Sequence, residues 1–169
     1  MDMQKKYMHL YDRGLVERVN AQIRGAKSAG AVVVYMRNKG TEQEAEAYGF
    51  AEGLDVISDH IFTKVKQSAF SCPEFVMFLD ECHQTGGNGA HAQTAGSGET
   101  QVREAEEIRI VGADGRVCVP ETALDAVKHG YPVTVDLDAV GAVADPYLEE
   151  AIRKMWEAGV KITGDRGDR

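Results

Sequence analysis

The sequence has no long apolar run. No stretch approaches the roughly 20 apolar residues that a membrane-spanning helix needs. Residues 1–6 also lack the apolar region that marks a secretory signal peptide. We therefore expect no membrane partner, and the cytoplasm is the expected location of the protein.

Cysteine is scarce, and basic residues are outnumbered by acidic ones. The three cysteines are an odd number at spacings that form no disulfide framework, which indicates free thiols in a reducing compartment. There are 19 Lys and Arg residues against 27 Asp and Glu, giving a net charge of −8 with no dense basic cluster. Binding to a phosphate backbone needs clustered positive charge, so nucleic acid is not an expected partner.

What the sequence does contain is an alternation of strand and helix patterns. The 169 residues are enough for a single domain, 1–169, with its own core. The alternation predicts an α/β protein with a three-layer Rossmann-like fold, in which helices flank a mostly parallel central sheet. The predicted strands are 31–36, 61–63, 108–111, 131–136 and 159–163, and the predicted helices are 13–29, one from residue 71 onwards, 118–129 and 146–158.

Two segments depart from this regular pattern. A parallel α/β domain normally opens with a buried strand, but here only residues 1–3 precede the polar residues 4–6, so the first strand is expected to be truncated. Residues 83–100 are rich in Gly and small polar residues and have no periodicity. They predict a long flexible loop, which could serve as a lid or as an oligomer arm.

Cys118 lies where a predicted strand turns into a helix. Residues 108–111 predict the strand, 112–115 predict a turn, and the helix begins near Cys118 with Pro120 in its first turn. A thiol there meets the positive end of the helix dipole and free backbone N–H groups, which favour the thiolate and can bind an oxyanion. We therefore interpret Cys118 as a nucleophile, and the other two cysteines as structural or incidental.

Three segments together resemble the sequence signature of a known family. The first is Asp2-Met3-Gln4, and the second is Lys64 followed by Ser68-Ala69-Phe70. The third consists of Gly112, Cys118-Val119, Thr122-Ala123, Ala126, Gly130-Tyr131, Val133 and Asp138-Ala139. In this order they resemble the isochorismatase-like cysteine hydrolases, a superfamily that includes nicotinamidases, carbamoylsarcosine amidase, ureidoacrylate and biuret amidohydrolases, and isochorismatase.

The resemblance implies a catalytic set of Asp2, Lys64 and Cys118. Asp2 would act as general base, Lys64 would position the carboxylate and the thiolate, and Cys118 would form a thioester with the substrate. The backbone N–H groups of Asp114 and Cys118 would hold the oxyanion, after a cis peptide bond between Ala113 and Asp114. The family also implies a homo-oligomer.

The sequence lacks one feature of the nicotinamidases in this superfamily. They carry an Asp-x-His metal site shortly after the first strand, and no such pair occurs here; the nearest histidine is His60. Cys82, His83 and His91 match no standard pattern of metal ligands. We therefore expect neither a metal nor another cofactor.

The expected function is hydrolysis of a C–N bond in a small-molecule amide or ureido substrate, because a cysteine nucleophile suits that reaction. Two alternatives stay open: a vinyl-ether hydrolase of the isochorismatase type, which needs no thiol, and a non-catalytic member of the same fold, which a truncated first strand would favour. The candidates for the substrate pocket are Phe70, Tyr35 and Arg37. Tyr35 and Arg37 lie at the end of a predicted strand, together with Asn38.

Overall fold

The computed structural model describes residues 1–85, 107–143 and 146–164. The helices are α1 (Leu15–Ser28), α2 (Pro73–Thr85), α3 (Cys118–Lys128) and α4 (Pro146–Glu157). The strands are β1 (Tyr35–Asn38), β2 (Ile61–Lys64), β3 (Ile108–Ala113), β4 (Val133–Gly141) and β5 (Lys161–Thr163), and short 3-10 helices span Lys5–Leu10, Glu42–Glu44 and Ala69–Ser71. The predicted loop at 83–100 lies outside the described residues from residue 86 onwards.

All pairs of neighbouring strands in the described chain are parallel. β1 pairs with β2, and β3, β4 and β5 pair in that order. Residues 1–3 lie between the two sheets: the Asp2 N–H donates to the Met36 carbonyl at 2.8 Å, and the Ala113 N–H donates to the Met1 carbonyl at 2.9 Å. The short first segment thus joins both sheets into one surface.

Helices cover this surface on both faces. On one face, α1 packs its apolar stripe, including Leu15 and Ile23, against Tyr35 and Ala139 of the sheet. On the other face, α3 and α4 pack against the alternate residues of β3 and β4, with Val119 and Met155 among those with almost no exposed surface. This is the predicted three-layer α/β fold, and the fold class is confirmed. Within the described residues, none of the helices has the length and apolar character needed to span a membrane.

The strand predicted at 31–36 begins later than its apolar pattern indicates. β1 starts at Tyr35, which pairs with Ile61, the first residue of β2. Residues 31–34 have no β2 residue opposite them, and Val32 is 60% exposed. The length of the partner strand, rather than local hydrophobicity, therefore sets the start of β1.

The strand predicted at 131–136 extends further than its pattern indicates. β4 continues to Gly141, because the register shifts near the end of β3 and Gly112 then pairs with Val140. The acidic residues Asp136 and Asp138 interrupt the apolar pattern, so the pattern did not predict this extension. The predicted start of α3 at Cys118 is confirmed.

Candidate active site

Lys64, the last residue of β2, is completely buried. Its Nζ lies 2.9 Å from Asp2 Oδ2 and 3.4 Å from Cys118 Sγ. It also donates to Asn38 Oδ1 at 2.7 Å and to the carbonyl oxygen of Lys66 at 3.2 Å. A desolvated ammonium group needs such partners, because burial without them is strongly unfavourable. The structure therefore brings Asp2, Lys64 and Cys118 together around one buried ammonium group.

The sheet topology explains why these residues meet. Asn38 and Lys64 are opposite each other at the ends of β1 and β2. Asp2 lies in the segment beside β1, and Cys118 follows the end of β3 across a short turn. The carboxyl ends of parallel strands lie along one edge of a sheet, so residues distant in sequence converge there.

Asp2 is a buried carboxylate, only 2% exposed. Its backbone φ of 47° lies in the left-handed region that residues other than glycine seldom adopt. Although Oδ2 is 2.9 Å from Lys64 Nζ, neither carboxylate oxygen accepts an aligned hydrogen bond from the described residues. The attraction to Lys64 is therefore mainly Coulombic.

The thiol of Cys118 is half-buried and close to both charges. Burial raises the pKa of this thiol, the charge of Asp2 raises it further, and Lys64 lowers it. The net pKa is above that of an ordinary cysteine, so burial and Asp2 outweigh Lys64, and the thiol is less acidic than its place at a helix start was expected to make it. The setting therefore favours the protonated thiol over the thiolate more than in an ordinary cysteine.

The turn between β3 and α3 is held by Asp114. The peptide bond between Ala113 and Asp114 is cis, as predicted. The Asp114 carboxylate accepts a hydrogen bond from the Arg116 backbone N–H at 2.8 Å and pairs with the Arg116 guanidinium at 3.3 Å. Cys118 is the first residue of α3, so its N–H has no acceptor within the helix. The two N–H groups predicted to hold an oxyanion thus belong to one short, braced turn.

Tyr35 and Phe70, two of the predicted pocket residues, make structural contacts. Tyr35 is 6% exposed, and its hydroxyl donates to the Asp55 carbonyl at 2.7 Å. Phe70 stacks on His129, with 4.5 Å between the ring centroids. Neither contact involves the buried lysine, so a role of these two residues in substrate binding stays a prediction.

Arg37, the third predicted pocket residue, lies on the face of the sheet opposite to that of Asn38 and Lys64. It alternates with Asn38 along β1, and its Nε donates to Thr63 Oγ1 at 3.1 Å rather than approaching Lys64. Both Arg37 and Asn38 line a cavity of about 640 Å³ at the ends of β1 and β2. Arg37 therefore stays a candidate for substrate contact through this cavity, and not beside Lys64 and Cys118.

Two further residues near the site were not assigned a role from the sequence. Gln4, which is 0% exposed, binds both backbone groups of Asn38 through its side-chain amide. Tyr11 lies near Asp114 and Cys118: burial raises the pKa of its hydroxyl, and those two groups raise it further. In the sequence, Gln4 stood out only as part of the segment Asp2-Met3-Gln4. No local pattern marks Tyr11, because its contacts with the site are to residues distant in sequence.

The described residues contain no group of three or more His, Cys, Asp or Glu side chains placed to hold a metal ion. Of the Cys82, His83 and His91 group considered above, the two histidine side chains fall outside what the structure describes.

The fold and the site together define an α/β protein with an acid, a lysine and a cysteine at the carboxyl edge of its sheet. A family model, the isochorismatase domain, matches residues 1–165, and the chain belongs to this family. A curated relative, Isochorismatase family protein 2A of Dictyostelium discoideum, is 33% identical over 58 residues. That match spans 34% of this chain and 29% of the relative, well under two thirds of its length.

Solved structures share the fold over nearly the whole chain. The pyrazinamidase of Pyrococcus horikoshii in complex with zinc has a TM-score of 0.73 at 23% identity, covering 97% of this chain and 96% of that one. The N-carbamoylsarcosine amidase of Thermoplasma acidophilum has a TM-score of 0.67 at 18% identity, covering 98% and 95%. Amidases are thus among the structural neighbours of this member of the family.

Proposed function

We propose that this protein is a cysteine-dependent hydrolase that cleaves a C–N bond of a small amide or ureido compound through a thioester on Cys118. The observation that carries the proposal is the buried Lys64, whose Nζ lies 3.4 Å from Cys118 Sγ and 2.9 Å from Asp2 Oδ2. Membership of the isochorismatase family and the amidases among the structural neighbours support the same reaction class.

In the first step, the sulfur of Cys118 is acylated and forms a thioester. Asp2 takes the thiol proton as Sγ bonds to the substrate carbonyl carbon, and the carbonyl π electrons move onto oxygen. The oxyanion electrons then re-form the carbonyl as the C–N bond breaks. The electrons of the C–N bond go to nitrogen, which takes the proton from Asp2 and leaves as ammonia or an amine. Lys64 offsets the negative charge that moves between the carboxylate and the sulfur.

In the second step, water releases the acyl group. Asp2 takes a proton from water as the oxygen attacks the thioester carbon, and the C–S bond breaks with its electrons on sulfur. The proton on Asp2 returns to Cys118, and the carboxylic acid leaves. In both steps the backbone N–H groups of Asp114 and Cys118 would stabilise the oxyanion, a kind of contact worth about 3 kcal/mol for each donor.

The proposal is tested with a panel of small amides and ureido compounds. Wild type should release ammonia or an amine, and intact-protein mass spectrometry should detect an acyl adduct on Cys118. Cys118→Ala should remove the adduct and lower kcat by at least about 10³-fold, because the nucleophile is absent. Cys82→Ser is the matched control, since it removes a thiol outside the site and should leave both readouts unchanged.

Undiminished amide hydrolysis by Cys118→Ala would overturn the proposal. Hydrolysis of a vinyl ether that survives this substitution would favour the isochorismatase-type reaction, which needs no thiol. An unreactive Cys118 across the whole panel would favour the non-catalytic reading.

A further inference from the structure

The Asn38 side chain makes the shortest hydrogen bond described for Lys64. Its Oδ1 accepts from Lys64 Nζ at 2.7 Å, compared with 3.2 Å for the Lys66 carbonyl and 3.4 Å for the Cys118 sulfur. An ammonium group only donates hydrogen bonds, so the amide oxygen of Asn38, and not its NH₂ group, must face the lysine. The orientation of the Asn38 side chain is therefore fixed by chemistry as well as by position.

Asn38 is itself held by a buried amide. The Asn38 N–H donates to Gln4 Oε1 at 2.8 Å, and Gln4 Nε2 donates to the Asn38 carbonyl at 3.1 Å and to the Tyr48 carbonyl at 2.7 Å. Gln4 is 0% exposed, so these bonds are shielded from competing water. The backbone of Asn38 is thus held by Gln4, and the side chain of Asn38 is available to accept the hydrogen bond from Lys64.

From these contacts we propose that Asn38 is a positioning residue that holds the Lys64 ammonium between Asp2 and Cys118, and that its neutral side chain is part of that role. A carboxylate at this position would compete with the sulfur for the positive charge of Lys64, whereas an amide accepts a hydrogen bond without adding a charge. The proposal rests on the proposed function only in assigning Lys64 a part in turnover.

The test uses the reactivity of the Cys118 thiol, which requires no substrate. Iodoacetamide alkylation of Cys118 is followed by peptide mass spectrometry as a function of pH. Besides Lys64, the ionisable groups that interact with this thiol are Asp2, Tyr11 and the buried amino group of Met1, and Asp114 and Arg116 lie in the turn before it. They are unchanged in every variant, so a displaced midpoint reports the lysine–thiol contact.

Asn38→Asp should move the alkylation midpoint upward by about 1 pH unit, because the new carboxylate draws the charge of Lys64 away from the sulfur. Asn38→Ala should move the midpoint upward by less, because Lys64 loses one hydrogen bond but no competing charge is introduced. Lys39→Gln is the matched control: it changes the net charge by the same amount as Asn38→Asp on the neighbouring exposed residue, and it should leave the midpoint in place.

Turnover gives a second readout once an amide substrate is found. Asn38→Ala should lower kcat by about 10- to 100-fold with little change in KM, since a displaced catalytic group slows the chemistry more than it weakens binding. An unchanged midpoint in both Asn38 variants, with circular dichroism confirming that they fold, would overturn the positioning role. Because alkylation needs no substrate, this result stands apart from any failure to find amidase activity.

Discussion

At the scale of single residues, the pKa of Cys118 is set first by burial and then by two opposite charges. Asp2 raises the pKa of the thiol and Lys64 lowers it, in a half-buried setting that by itself disfavours the thiolate. The thiolate population therefore grows only as pH rises through a pKa above the usual cysteine value. In the proposed mechanism, the same carboxylate that raises the pKa of the resting thiol is the base that takes its proton when a substrate is bound.

Replacing Asp2 with Asn should separate these two effects. Loss of the negative charge lowers the pKa of Cys118, so alkylation by iodoacetamide at pH 8 should become about 3- to 10-fold faster. Loss of the base should lower kcat by about 10²- to 10⁴-fold on any amide that wild type hydrolyses. Peptide mass spectrometry and an ammonia assay measure the two quantities.

Asp12→Asn is the control for this substitution, since Asp12 is an exposed acid paired with Arg18, with a side chain 61% exposed. It should change neither alkylation nor turnover. Slower alkylation in Asp2→Asn would contradict the assigned effect of Asp2 on the thiol.

At the scale of elements, the placement of Asp2 depends on the close approach of residues 1–3 to β3. Gly112 has a φ of 109°, and a Cβ built there would lie 2.1 Å from the Met1 carbonyl oxygen. That oxygen accepts the hydrogen bond from Ala113, so the first segment can pair with β3 only if residue 112 has no side chain.

Gly112→Ala should therefore lower the free energy of unfolding by at least about 2 kcal/mol, through the clash with the backbone and the unfavourable φ. Urea denaturation measures this change. Gly25→Ala, in the interior of α1, is a control for which the expected change in stability has the opposite sign, because nothing lies within 4 Å of the added Cβ. That variant should be more stable than wild type by about 0.4–1 kcal/mol. Equal stability of the two variants would refute the argument.

At the scale of the whole molecule, Met3 links the two halves of the sheet. It is 3% exposed and belongs to one apolar cluster with Tyr35 of β1, Ala139 of β4 and the inner stripe of α1. Burial of the N-terminal segment thus couples the β1–β2 pair to the β3–β4–β5 sheet through side-chain packing as well as backbone hydrogen bonds.

Met3→Ala should lower the free energy of unfolding by about 2–5 kcal/mol, because it leaves a cavity between elements of both halves. Hydrogen exchange followed by mass spectrometry should show protection falling together in β1 and β4. Met77→Ala, at a methionine that is 62% exposed, should change stability by no more than about 0.5 kcal/mol. Loss of protection in β1 alone would show that the halves are not coupled through Met3.

Local patterns in the sequence were enough to predict much of the fold. The apolar stripe of α1, the start of α3 at Cys118 and the alternation of strands with helices depend on neighbouring residues, and all three are confirmed. The bounds of β1 and β4 were predicted less well, because a strand extends only as far as its partner does. The single domain and the homo-oligomer stay predictions.

The sequence by itself determined which residue types occupy the carboxyl edge of the sheet, including a cysteine at a helix start. Only the tertiary structure decided what that cysteine meets. Lys64 and Cys118 are 54 residues apart in the chain, and their 3.4 Å contact exists because parallel strands end along one edge. The raised pKa of Cys118 and the hydrogen bond from Lys64 to Asn38 follow from that convergence, since burial and Coulomb forces depend on distance in space rather than on order in the sequence.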